Sequence, residues 1–209
     1  MSGGKSGARA APAVRRGARA RTLRIIGGSW RGRKLRFPAA AAIRPTPDRV
    51  RETLFNWLGG AVRGAHCLDL FAGSGALGLE ALSRGAAHVR FVEQDASAVR
   101  ELEARLQEWR AQGAAVSRAD ALAFLAGAAT PFALVFLDPP FDSDLLPRSA
   151  ALLAARGWLA PGALVYAESA ARRPLPPLPA GWRPLRSGRA GEVGYHLLAC
   201  ESPTPMQSA

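Results

Sequence analysis

Hydrophobic positions along this chain follow two regimes that change near residue 65. Beyond it, strand-length apolar runs alternate with stretches of helical spacing. Cys67-Leu68-Asp69-Leu70-Phe71 reads as a buried strand entering a glycine turn, and Leu77, Ala81 and Leu82 mark a helix that Gly85 ends. Val89-Arg90-Phe91-Val92-Glu93 is a second strand. Val99, Leu102, Leu106 and Trp109 share one face of the next helix, closed by Gly113. A brief strand around Val116 and a short helix through Leu122 and Leu125 follow. Residues 132–137 are continuously apolar, as in a central parallel strand covered on both faces. A helix over 145–156, a strand over 163–166, a proline-rich stretch over 174–184 and two late strands, near 182–185 and 193–199, finish the pattern. This alternation predicts an α/β fold with a doubly wound parallel sheet, which binds ligands at the carboxyl ends of its strands.

Ahead of residue 65 the pattern is sparser. Residues 1–20 show no periodicity and are expected to be disordered. Leu23-Arg24-Ile25-Ile26, the turn-rich stretch 27–32 and Lys34-Leu35-Arg36-Phe37 together suit a hairpin. Thr46 suits the cap of a helix with Pro47 at its first position. Val50, Leu54, Trp57 and Leu58 would form the apolar face of that helix, and Gly59 would stop it. The expected division is a basic tail over 1–22, a hairpin and helix over 23–60, the main domain over 61–200 and a C-terminal tail over 201–209.

Composition narrows the class. With 209 residues the chain fits one domain and can bury a substantial core. No apolar run approaches the roughly 18 residues of a membrane helix, and no charged-then-apolar leader opens the chain, so no membrane partner is expected. Cys67 and Cys200 lie in strand-like runs, which suits a reducing, cytoplasmic setting. His66, His88 and His196 lack metal-ligand spacing, and no metal is assigned.

Charge adds a direction. Of 28 Lys and Arg residues 14 fall within residues 1–51, against one acid, Asp48; that segment carries +13 and the remainder −1. The asymmetry is the footprint of a polyanion-binding arm. Two blander readings stand beside it, a solubilising tail and an organellar transit peptide.

Two motifs carry the chemistry. Asp69-Leu70-Phe71-Ala72-Gly73-Ser74-Gly75-Ala76-Leu77-Gly78 joins a strand to a helix, and Glu93 lies twenty residues beyond Gly73 at the end of the next strand. The spacing also fits a dinucleotide site. Asp69 opposes that reading, because an acid so close would face a pyrophosphate unfavourably. A ligand bearing a sulfonium and an ammonium suits it, with Glu93 accepting from ribose hydroxyls. The second motif, Asp138-Pro139-Pro140-Phe141, ends the most hydrophobic strand. An exocyclic base amine is a poor nucleophile because its lone pair is delocalised into the ring. A rigid carboxylate and the carbonyl of Pro139 can both accept from the NH2 and draw that lone pair out of conjugation. Phe141 can stack on an extruded base, and the prolines restrict the backbone that holds this geometry.

Asp138 to Phe141 resembles the signature of amino-methyltransferases, and Asp69 to Gly75 resembles their cofactor motif. From about Arg24 the chain resembles the bacterial family that methylates N2 of a guanine in 16S ribosomal RNA, the guanine-966 type. The strings that carry this resemblance are Arg24-Ile-Ile-Gly-Gly-Ser-Trp-Arg-Gly-Arg-Lys-Leu, Arg44-Pro-Thr-Pro-Asp-Arg-Val-Arg-Glu-Thr-Leu-Phe-Asn-Trp-Leu and Phe71-Ala-Gly-Ser-Gly-Ala-Leu-Gly-Leu-Glu-Ala-Leu-Ser-Arg. The resemblance implies a Rossmann-like, seven-stranded fold with a small basic N-terminal extension, S-adenosylmethionine as cofactor, and 16S rRNA or the small subunit as partner. It gives Asp138, Pro139 and Phe141 the catalytic role and Glu93 the ribose role, and it brings Asp120 to the adenine ring. Asp69, Gly73 and Gly75 complete the cofactor set. Asp120 also suits a helix cap, as does Asp95, which is not counted in the site.

Arg31, Arg33, Lys34, Arg44, Arg49 and Arg51 are expected to contact RNA phosphates, although Arg49 and Arg51 cannot both do so if their helix packs on the core. A monomer is expected. Three other readings stay open: an adenine-N6 DNA methyltransferase, since the same four residues serve both amines; a non-catalytic RNA-binding assembly factor; and a nicotinamide-dependent oxidoreductase. The last leaves Asp138–Phe141 and the basic arm unexplained.

Overall fold

The computed structural model describes residues 21–37 and 46–201. An antiparallel hairpin of β1 (Arg21–Arg24) and β2 (Lys34–Phe37) precedes helix α1 (Asp48–Leu58). Strands β3 (His66–Asp69), β4 (His88–Glu93), β5 (Ala114–Arg118) and β6 (Phe132–Leu137) then alternate with helices α2 (Ala76–Ser83), α3 (Ala96–Glu108), α4 (Ala121–Ala126) and α5 (Leu145–Ala155). Strands β7 (Leu159–Ala170), β8 (Trp182–Ala190) and β9 (Val193–Cys200) close the chain. Seven strands form one sheet in the order β5-β4-β3-β6-β7-β9-β8. The first five run parallel, and β9 lies antiparallel between β7 and β8.

Alternation along the central strands splits the core in two. Cys67, Leu134 and Phe136 face one cluster with α1, α2 and α3, where Phe55 of α1 meets Phe136 at 6.1 Å between ring centres. Leu68, Val135 and Leu137 face the other, against α4 and α5. Two strands outrun the periodicity. β7 extends through Glu168 and Ser169, and β8 runs on to Ala190 through an arginine-rich stretch. β8 is the sheet edge, so no alternation of buried positions marks its length.

The hairpin is fastened to α2 by buried polar groups. Glu80, fully buried, accepts from the backbone N–H of Ile26 (2.8 Å) and Gly27 (2.9 Å) and from Arg84 Nε (2.7 Å). Ser83 Oγ accepts from Trp30 N–H and donates to the Gly27 carbonyl, while Ser29 N–H donates to the Ser83 carbonyl. Arg51 completes this network and corrects the sequence expectation. Its guanidinium is fully buried and donates to Asp48 (2.6 Å), the Arg24 carbonyl (2.8 Å) and Glu80 (3.5 Å), so it cannot reach a phosphate. The apolar positions of α1 set this outcome, because burying Leu54 and Phe55 turns Arg51 inward as well.

The hairpin tip sits at the foot of the sheet. α2 and α3 run back from the carboxyl ends of their strands, so Ser83 and Trp109 lie near the strand starts, where Gly64 N–H meets the Gly85 carbonyl and Val89 N–H the Gly113 carbonyl. Trp30 packs edge-on against Trp109 at 5.3 Å, and the Arg33 guanidinium lies 5.3 Å from the Trp109 ring centre. Arg31, Arg33 and Lys34 are exposed there, about one strand length, roughly 20 Å, from the opposite sheet edge.

Candidate active site

The carboxyl ends of five neighbouring strands carry five acids. Reading across the sheet, Asp120 follows β5, Glu93 ends β4, Asp69 ends β3, Asp138 follows β6 and Glu168 lies near the end of β7. They line one cleft of ≈ 840 Å³ together with Thr46, Gly73, Pro139 and Phe141. Parallel strands in register produce this row. Asp69 pairs with Phe136, two residues before Asp138, and Leu137 pairs with Ala167, so Asp138 and Glu168 follow side by side.

Each acid is held differently. Asp69 is buried, and its Oδ2 accepts the Gly78 N–H of α2 at 2.9 Å. It therefore stands in for a side-chain cap that Gly75, at φ +76°, cannot supply. Burial pushes its pKa up, the Gly78 bond pulls it down and the Glu93 charge raises it again, leaving it at about 7. Glu93 is oriented through both oxygens, Oε2 accepting from Gly73 N–H (2.8 Å) and Oε1 from Asp95 N–H (2.8 Å). Asp95 caps α3 through Ser97 and Ala98 N–H. Asp120 caps α4 through Leu122 and Ala123 N–H, all from one oxygen, at the cleft rim.

At β6, Pro139 is buried, Phe141 is half-buried and Pro140 accepts both Ser143 N–H and Oγ, which tightens the turn. Asp138 has a neighbour that the sequence reading omitted. Glu168, 2 % exposed, accepts from Thr46 Oγ1 at 2.6 Å and from Tyr166 OH at 2.8 Å, both at Oε1. Thr46 Oγ1 also lies 3.5 Å from Asp138 Oδ2. Thr46 thus does not cap α1, whose N-cap is Pro47 with no side-chain bond; its hydroxyl is committed to the acid pair. The rule that selected Asp138, an acid at the tip of an apolar strand, selects Glu168 equally once β7 is read through Ala167.

Of the expected phosphate contacts, Arg31, Arg33, Lys34 and Arg49 are exposed, Arg51 is interior, and Arg44 lies outside the described residues. Among the described residues no three His, Cys, Asp or Glu side chains are placed to hold a metal, and no helix is long and apolar enough to cross a membrane.

Comparison with known proteins places this arrangement. The family model described as conserved hypothetical protein 95 matches residues 23–199. The ribosomal RNA small subunit methyltransferase D of Escherichia coli (strain K12) is 50% identical over 180 residues, which span 86% of this chain and 91% of that protein. A solved structure from Escherichia coli, described as "Putative methyltransferase yhhF", superposes with a TM-score of 0.81 at 48% identity, covering 87% of this chain and 99% of that one. A T. thermophilus 16S rRNA guanine-N2 methyltransferase, solved in complex with AdoMet and guanosine, gives a TM-score of 0.62 at 26% identity over 88% of this chain and 50% of that one. The chain belongs to the conserved hypothetical protein 95 family and is a relative of the ribosomal RNA small subunit methyltransferases D.

Proposed function

We propose that this chain transfers a methyl group from S-adenosylmethionine to the exocyclic N2 of a guanine in 16S ribosomal RNA. The observation that carries the reading is the position of Asp138-Pro139-Pro140-Phe141, at a strand tip inside the same cleft as Asp69, Gly73 and Glu93. The relatives support the substrate class, and the +13 charge of residues 1–51 suits a polyanion.

The residues present fit the donor. Asp69 is a buried carboxylate with no cationic partner among the described residues, which suits a ligand that brings positive charge. Both oxygens of Glu93 are aligned by backbone N–H groups, leaving their remaining lone pairs for ribose hydroxyls. A cleft of ≈ 840 Å³ has room for a nucleoside and a base. When bound, S-adenosylmethionine supplies a methyl group already activated by its sulfonium.

The chain's own work is alignment and proton handling. Asp138 and the Pro139 carbonyl accept from the guanine NH2 and aim its lone pair. Phe141 stacks on the extruded ring, worth about 1–3 kcal/mol per base. Alignment of donor and acceptor supplies most of the acceleration. Arg31, Arg33, Lys34 and Arg49 remain the phosphate contacts on the exposed side. A ribosomal substrate supports a cytoplasmic site of action, and a monomer is the oligomeric state proposed with it.

The test is incubation with labelled S-adenosylmethionine and, separately, naked 16S rRNA, small subunits and DNA, followed by mass mapping. N2-methylguanine in the rRNA is the expected product. N6-methyladenine in DNA, or no transfer to any of the three, overturns the reading.

A further inference from the structure

We propose that Asp138 and Glu168 work as one proton-accepting pair, with Glu168 as the positioning residue that takes the proton Asp138 must give up. This rests on the methyl-transfer reading above and assigns the fate of the amine proton within it.

The geometry comes first. The two carboxyls sit on adjacent strand tips, one residue beyond the Leu137–Ala167 pair. Thr46 Oγ1 lies within reach of both, at 2.6 Å from Glu168 and 3.5 Å from Asp138. The two hydroxyls that point at the pair, from Thr46 and Tyr166, both approach Glu168 Oε1. Negative charge is therefore stabilised on Glu168, and the shared proton rests on Asp138. Asp69 on β3 also faces Asp138, and Tyr195, paired in register with Glu168 on β9, acts on Tyr166. No Lys or Arg forms an ion pair with either carboxyl among the described residues. The half-buried Asp138 and the buried Glu168, both within reach of Thr46 Oγ1 and with no cation paired to either among the described residues, share one proton above the ordinary carboxylate range. The direction of the shifts agrees: burial, then Glu168, then Asp69 raise Asp138 well above the carboxylate range, while burial raises Glu168 too but is partly opposed by the bonds from Thr46 and Tyr166.

A protonated Asp138 cannot accept the amine proton unless its own proton leaves. The paired acid removes that obstacle. As the N2–C bond forms and the C–S bond breaks with its electron pair kept by sulfur, an N–H proton passes to Asp138 Oδ1 and its electron pair stays on nitrogen. The proton on the opposite oxygen of Asp138 passes to Glu168. The pair goes from −1 to neutral as the sulfonium charge is lost, so the net charge of the cleft is the same before and after the step.

The experiment uses the full-length protein and Glu168→Gln, with Thr46→Val as a milder second variant that keeps the carboxyl. Infrared titration without substrate reads the pair directly. Wild type should keep a protonated carboxyl band that titrates above the range of an ordinary carboxylic acid, and Asp138→Asn should abolish it. Glu168→Gln should lower kcat at pH 7 by about 10²-fold, leave KM for RNA and the affinity for S-adenosylmethionine unchanged, and move the acid limb of the kcat profile to higher pH. Thr46→Val should move the limb the same way by less. A wild-type limb in both variants, or no protonated band in wild type, overturns the pair even where wild type methylates guanine N2. An inactive wild type that still shows the band would count against the methyl-transfer reading and not against the shared proton.

Discussion

With Asp69 beside the cofactor as proposed, binding should be a proton-linked event whose size follows from its surroundings. The carboxyl is 2 % exposed and titrates at about 7, because burial and the Glu93 charge outweigh the Gly78 N–H bond. A cationic ligand beside it prefers the ionised form, so binding below that pKa must expel a proton. The ionised fraction of the free protein grows with pH, hence affinity grows with pH and levels off above about 7. From pH 5.5 to 7.5 the ionised fraction rises from about 3% to about 76%, which makes binding about 25-fold tighter, or about 1.9 kcal/mol. The window stops short of about pH 8, where the α-amino group of the ligand begins to lose its own charge. Calorimetry of S-adenosylmethionine binding in buffers of differing ionisation enthalpy gives both numbers, the affinity and the protons released. Asp69→Asn keeps an oxygen for Gly78 N–H, so the fold should survive while the pH slope and the proton release vanish. A wild-type affinity that is flat across this window, or a slope that persists in the Asn variant, refutes the argument.

Three further outcomes follow from the packing. Arg51→Met should destabilise the fold by about 3–5 kcal/mol in urea unfolding, because it breaks a buried ion pair and frees the Arg24 carbonyl; an unchanged midpoint would mean the hairpin is not held by this network. Gly78→Ala would drive a methyl into Phe91 Cε1 and within 2.9 Å of Val89 Cγ1, both in the core, and should cost about 1–3 kcal/mol by the same assay. Phe141→Ala should weaken RNA binding by about 1–3 kcal/mol in filter-binding titrations while leaving cofactor affinity intact, and Phe141→Tyr should bind as wild type.

The order of strands and helices was legible because the central strands are buried on both faces and the helices other than the wholly buried α2 carry one apolar stripe. Asp69, Glu93 and Asp138 were legible for a related reason: an acid that ends an apolar run stands at the ligand-binding edge of a parallel sheet. Glu168 escaped because β7 continues past Tyr166 through alanine, and a small residue before an acid does not read as a buried strand end. Thr46 has the local grammar of a helix cap, and only the tertiary approach of β7 turns its hydroxyl elsewhere. The helix face already set Arg49 and Arg51 against each other, but which of them turns inward depends on Glu80, 29 residues away on another helix. Such pairings depend on how elements meet, which no local pattern encodes.

Helix α1 joins the two ends of the molecule. Its 11 residues span about 16 Å, with Thr46 entering at the acid pair and Leu58 leaving towards the foot of the sheet, where Trp30 and Trp109 seat the basic loop. Neither end can drift, since Arg51 ties the helix to Glu80 and through it to the hairpin. An RNA that touches both the loop and Asp138 must therefore present its guanine at a set distance from a set of phosphates. With the loop on phosphates as proposed, the protein would act as a caliper, selecting a nucleotide by the separation of two points on a folded RNA, and a short oligonucleotide carrying the same guanine in the same sequence would be methylated poorly.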